Sequence, residues 1–168
     1  SDVTYYDNSR AMWYTAVNIN EITLPVGTVN SWIVTTEDQQ TIETTTDKAE
    51  KANVELVVKT VTADVDVTDD LQKVIGADSV VKQAYEIRLV ADGVTVAPKG
   101  NLTIKIKLSS SLQMSSKLRL YHYGDDGVVT LVSSKIEDGY LIFETDHLST
   151  WLIVGEDTSV HSDSCIAW

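Results

Sequence analysis

Asp146, His147 and Ser149 are the three side chains whose types most readily suggest chemistry, because an acid, an imidazole and a hydroxyl are the parts of an acyl-transfer triad. Their spacing argues against that use. Neighbouring residues of an extended chain point to opposite sides, and a triad is normally assembled from segments distant in sequence. No Gly-x-Ser-x-Gly turn is present to expose a nucleophile at the head of a helix. The expectation is therefore structural: Asp146 or Ser149 satisfies a backbone turn before the last strand, and His147 sits at a strand corner. The chain reads as a non-enzyme that needs no cofactor.

Metal chemistry finds equally little support in spacing. His122, His147 and His161 are the only histidines, and no two stand at ligand intervals. The single cysteine, Cys165, excludes an intrachain disulfide and a thiolate zinc centre. Asp64, Asp66, Asp69 and Asp70 could offer oxygen ligands to Ca²⁺, but the order of an EF-hand and its loop glycine are missing. The plainer reading puts Asp64 and Asp66 on the wet side of a strand end and Asp69 and Asp70 at a helix N-terminus. No metal site is expected. Lys105 and Lys107 fall on the polar parity of a strand, so no Lys–Asn isopeptide cross-link is expected from them.

Aromatic side chains crowd the N-terminal segment: Trp13, Tyr14 and Trp32, with Tyr5 and Tyr6. Such rings can stack on the apolar face of a sugar, or they can fill a core. Both readings stand at this point, and Trp13, Tyr14 and Trp32 are the candidate ligand-binding residues.

The elements that must position these groups are strands. Val54, Leu56 and Val58 alternate with Glu55 and Lys59 in a stretch read as strand from Asn53 to Val67. Tyr85, Ile87 and Leu89 alternate with Glu86 and Arg88, and Leu102, Ile104, Ile106 and Leu108 with Thr103, Lys105 and Lys107. Further strands are expected at 12–17, 22–24, 32–36, 118–123, 128–132, 140–144 and 151–154. Asp92-Gly93, Asp125-Asp126-Gly127 and Asp138-Gly139 are hairpin signals, and Pro98 to Asn101 is a turn. Thr68 can cap a helix over 69–75 that Gly76 ends. Gln39 to Glu50, polar and without apolar periodicity, reads as a linker, and Ser109 to Ser116 as a loop. The fold class is all-β: an immunoglobulin-like antiparallel β-sandwich with one short helix. Residues 1–45 are expected to dock on the main domain as an N-terminal β segment, 46–157 to form the sandwich, and 158–168 to be a C-terminal tail. Ile104, Ile106, Leu118, Leu120, Phe143 and Trp151 are the predicted core.

From about Val54 to Val154 the chain resembles a β-sandwich module of bacterial, mostly Firmicute, cell-surface and secreted proteins. The resemblance lies in an ordered series. A short helix precedes Ala84-Tyr85-Glu86-Ile87, and an Asp-Gly turn precedes the strand Leu102 to Leu108. Leu118-Arg119-Leu120-Tyr121-His122-Tyr123 follows with its Asp-Asp-Gly turn, and Phe143-Glu144-Thr145-Asp146-His147-Leu148-Ser149-Thr150-Trp151 closes the series. The chain departs from the family at Leu148, where an aromatic is usual, and at Trp151, where tyrosine is common. The resemblance implies a small Gram-positive sandwich beside repeats, enzymes or wall anchors, and so an extracellular, surface or secreted setting. The opening Ser1-Asp2, without methionine, points to a processed chain or an excised segment.

Charge narrows the partners. The formal net charge of −12 has the wrong sign for capturing nucleic acid or an anionic membrane. No apolar run approaches the roughly 18 residues of a membrane-spanning helix, so membrane insertion is not expected. Two functions remain: a structural spacer whose partners are neighbouring domains of a larger surface protein, and a carbohydrate-binding or host-adhesive module that uses the N-terminal aromatics on a glycan or host protein.

Overall fold

The structure is a computed structural model that describes residues 3–7, 12–16, 27–115 and 117–157. In chain order the first strands are β1 (Val3–Asp7), β2 (Met12–Ala16), β3 (Thr28–Thr35), β4 (Thr41–Lys51) and β5 (Val54–Thr60). Helix α1 (Asp69–Ile75) precedes β6 (Ser79–Ala91), β7 (Val94–Val96) and β8 (Leu102–Lys107). A single helical turn, α2 (Ser110–Gln113), leads into β9 (Arg119–Tyr123), β10 (Val129–Val132), β11 (Lys135–Glu137), β12 (Tyr140–Thr145) and β13 (Thr150–Glu156).

The strands form an antiparallel sandwich. Sheet I runs β11-β12-β8-β4-β3, and sheet II runs β10-β9-β13-β6-β5 with β7 also beside β6. The inward parity of sheet I supplies Ile42, Leu102, Ile104, Ile106, Leu141 and Phe143. Sheet II answers with Leu56, Tyr85, Ile87, Leu89, Leu120, Trp151 and Ile153, all in one buried cluster. Five of the six predicted core residues are buried there, and Leu118 packs against them half-buried. Confinement between the sheets pushes the Tyr85 hydroxyl pKa upward, burial being the main cause and the charge of Asp38 adding to it.

Sheet II is apolar on its outer side as well. Ala84, Tyr121, Leu152 and Val154 form a second cluster covered by Leu71 and Ile75 of α1. This explains the unbroken run Trp151-Leu152-Ile153-Val154: β13 is a central strand buried on both faces. The helix occupies its expected span. Thr68 Oγ1 accepts from Leu71 N at 3.1 Å, and Gly76 ends the helix at φ 107°.

Turn chemistry follows the sequence signals. Asp92-Gly93 and Asp138-Gly139 both adopt paired positive φ values, 51° and 79° and then 54° and 83°, as two-residue hairpins require.

Three local expectations are corrected. Residues 39–50 are no linker: Thr41–Lys51 is β4, paired on both sides, with β3 and with β8. Its inward positions are Ile42 and Thr44, so threonine, whose branched Cβ suits a strand, hides the alternation. A division of the chain between residues 45 and 46 consequently falls inside one strand. The strand starting at Val54 ends at Thr60, and Thr62–Asp64 is a 3-10 turn. Within the serine-rich loop, Ser109 caps the single turn α2, its Oγ accepting from Leu112 N at 3.3 Å.

At the N-terminus, β3 extends sheet I, while β1 and β2 pair with each other in a separate two-stranded ladder. The strand expected at 22–24 and the 158–168 tail lie outside the described residues.

Ile106 tests the sandwich directly. It is fully buried between Ile42 and Leu141 in sheet I. Ile106→Asp removes a packed side chain and leaves an unpaired charge, a loss of at least about 5 kcal/mol, comparable with the whole stability of a domain. The expected outcome is loss of cooperative urea unfolding monitored by tryptophan fluorescence. An unchanged midpoint would contradict the core assignment.

Candidate functional site

The chain crosses from sheet I to sheet II between the end of β12 and the start of β13, through Asp146 to Ser149. Thr145, buried at the end of β12, holds this corner. Its Oγ1 donates to His147 O at 2.7 Å and accepts from His147 N at 3.2 Å. The turn was expected to be satisfied by Asp146 or Ser149; the side chain that satisfies it is Thr145. The other two are engaged elsewhere. His147 Nδ1 donates to Asp146 Oδ1 at 2.8 Å, and Ser149 Oγ is hydrogen-bonded to Nε2 of His122, a residue of β9.

Strand pairing brings His122 here, because β9 sets it directly across from Trp151 of β13. The His122 ring lies edge-on to that of His147, with centroids 4.7 Å apart and planes at 88°. It also lies 4.7 Å from the Trp151 ring, and Trp151 lies 4.8 Å from Phe143. A relay of rings therefore runs from Phe143 in the core, through Trp151 and His122, to the exposed His147. Two open grooves flank this corner. One, of about 460 Å³, lies between the corner and the segment Thr95 to Pro98; the other, of about 320 Å³, is lined by Asn101, Thr130 and Glu144.

The electrostatics follow from this placement. Burial holds the His122 pKa below its ordinary value, and the neighbouring His147 pushes the same way, against the opposing pull of Asp126 and Asp125. The hydrogen bond from His147 lowers the Asp146 pKa.

The four groups form two separate pairs, not a triad. In a triad the carboxylate orients the same imidazole that serves the hydroxyl. Here Asp146 orients His147, while Ser149 bonds His122, and the two imidazoles meet edge to face. The arrangement satisfies polar groups at a sheet crossover and can titrate. Among the described residues, no group of three or more His, Cys, Asp or Glu side chains is gathered as a metal ion would require.

Of the candidate aromatics, Trp32 on β3 is half-buried against the central cluster, and its Nε1 donates to Val54 O at 3.1 Å. Trp13 and Tyr14 lie on β2, in register with Tyr6 and Tyr5 of β1; their side chains fall outside what is described. Of the acidic residues at 64–70, Asp64 closes the 3-10 turn, Asp66 lies in the link between it and α1, and Asp69 and Asp70 sit in the first turn of α1. Lys105 lies over the Tyr140 ring, 4.8 Å from its centroid. The contact between His122 and His147 escapes interval reasoning, since it joins positions on β9 and the β12–β13 crossover. The one signal available was the parity that puts His122 on the same face as Leu118 and Leu120.

The lowered His122 pKa makes a stability prediction. An unfolded chain protonates this residue near the ordinary histidine value of about 6.5, whereas the folded chain resists protonation until lower pH. The folded state binds fewer protons in that window, so its stability is complete above about pH 6.5 and declines as pH falls from there through the lowered folded value. Urea midpoints measured between pH 7.5 and 5.5 should fall in the wild type, and the slope should shrink in His122→Gln. Equal slopes in the two proteins would remove His122 as the cause. No protein-family model matches this chain, and no curated protein and no solved structure matches it either.

Proposed function

We propose that this chain is a non-catalytic spacer module of a bacterial secreted or cell-surface protein, one that holds neighbouring domains apart outside the cell. The observation that carries the reading is where the described sandwich begins and ends. It begins at Gly27, whose carbonyl accepts from Ala52 N at 2.9 Å, two residues before Val54, which pairs with Ala91 at the end of β6. It ends at Asp157, whose N donates to Asp78 O at 2.8 Å, just before Ser79 begins β6. Entrance and exit are thus separated by nearly the whole length of β6, about 40 Å at the usual rise of a strand. A domain threaded from pole to pole sets a distance between its neighbours; one whose ends meet does not.

The use of the described tryptophans supports the same reading. Trp151 is 1 % exposed, and Trp32 commits its ring to the core and its N–H to Val54. Neither is presented as a flat platform for a sugar. The ordered series of segments between Val54 and Val154 that resembles Firmicute surface modules supplies the extracellular, Gram-positive setting.

The competing reading is a glycan or host-protein adhesin built on Trp13, Tyr14 and Trp32. Calorimetric titration of the full chain with cell-wall and host oligosaccharides separates the two. A spacer gives no saturable heat at millimolar ligand. Saturable binding that Trp13→Ala or Tyr14→Ala abolishes, with the fold intact by circular dichroism, would replace the spacer reading with the adhesive one.

A further inference from the structure

The way the terminal strands of the sandwich are anchored bears on what happens when its poles are pulled apart. β3 begins at the entrance pole and runs away from it; its ladder with β4 extends from Thr28 opposite Lys51 to Thr35 opposite Thr41. β13 runs towards the exit pole and ends there, with Glu156 opposite Ser79. A force applied at Gly27 and Asp157 therefore acts along both strands, outward at each pole. Antiparallel hydrogen bonds lie perpendicular to the strands, so sliding one strand along its axis strains every bond of its ladder together. Separating the same strands from one end would break the bonds one pair at a time.

From this geometry we infer that the sandwich resists tension along its strand axis by a shear clamp, and that the β3–β4 ladder is the part that yields first. The inference rests on the spacer reading for its biological setting, while the mechanics follow from topology alone. β13 is held on both sides, by β6 over Thr150 to Glu156 and by β9 over Thr150 to Val154. Among the described residues, β3 is an edge strand that pairs with β4 alone. Two contacts compensate by tying this edge of sheet I to β5 of sheet II. Trp32 Nε1 donates to Val54 O at 3.1 Å, and beyond the far end of β3, Thr60 Oγ1 donates to Asp38 Oδ1 at 2.9 Å. Asp38 also accepts from Thr36, and that bond is the leading cause of its lowered pKa. For β3 to slide towards its own N-terminus it must break the ladder, the Trp32 bond and the packing of the Trp32 ring in the same movement.

Single-molecule force spectroscopy on the full chain tests this. In one arm the chain is flanked by reference modules and pulled through its two ends; once the β1–β2 ladder has opened, the tension that reaches Gly27 and Asp157 loads β3 and β13 in shear. In the second arm, Ala52→Cys in a Cys165→Ser background is pulled between its N-terminus and the thiol introduced by the first substitution. Ala52 is exposed and adjoins Gly27, so this arm opens the β3–β4 hairpin from its mouth, pair by pair. In the third arm, Trp32→Phe is pulled through its ends; an aromatic ring remains but the N–H donor is gone. The expected result is a rupture force several-fold higher through the ends than in the unzipping arm, and a clear fall in the end-to-end force for Trp32→Phe. Equal forces in the first two arms would overturn the clamp. An unchanged force for Trp32→Phe, with circular dichroism unaltered, would overturn the assignment of the first rupture to β3. Neither result would touch the spacer reading, which stands or falls on ligand binding.

Discussion

The apolar layer between the sheets is the constraint on which the other features depend. β6, β8, β12 and β13 each turn alternate large side chains inward, and these meet in one continuous cluster that spans Ile42 to Ile153. Because the period of a strand is two, a one-residue slip in β6, β8 or β12 would turn Glu86, Lys105 or Glu144 inward in place of that cluster. Register is therefore dictated by the core. The crossovers, the paired rings and the edge contacts inherit their positions from it.

Closing such a layer leaves problems at its rim, and the polar side chains there are deployed to solve them. At the pole where β7 passes to β8, the buried Glu50 accepts from Lys99 N at 2.8 Å, and Asp47 accepts from Asn101 N at 2.7 Å. Gly100 lies so close beneath Asp47 that a Cβ there would stand 2.1 Å from Oδ1. At the neighbouring crossover Thr145 satisfies the backbone, while Ser149 and His122 satisfy each other. Beside α1, Arg119 donates to Ile75 O and to Ser79 Oγ, fastening the helix C-terminus to sheet II. The side chains that suggest catalytic equipment in the sequence stand at this rim, each hydrogen-bonded there.

The sequence displayed whatever local physics decides. Period-two alternation disclosed β6, β8, β9 and β12, Asp-Gly pairs disclosed the hairpins, and Thr68 with Gly76 disclosed α1. Long-range pairing was not legible. β4 looked like a linker because threonine at an inward position can be buried without looking apolar, and only its placement between β3 and β8 makes it a central strand. The short β11 has three exposed residues and is defined by its partner β12 alone. At the candidate site, Asp146, His147 and Ser149 were visible as types, but the division into two pairs depends on His122. That residue arrives from twenty-seven positions away in the chain, as its contact with Ser149 records.

The polar separation of entrance and exit also governs how the sequence can be rearranged. Many domains bring their ends together and tolerate circular permutation with a short join. Here a join from Asp157 back to Gly27 must run the length of β6, so about a dozen extended residues are the minimum. New termini have a natural position at the exposed tip of Asp92-Gly93, where a two-residue hairpin turns in solvent. A permutant with a shorter join would have to release β3 or the end of β13. Head-to-tail fusion of copies meets no such obstacle, because each exit already lies at the pole opposite the entrance.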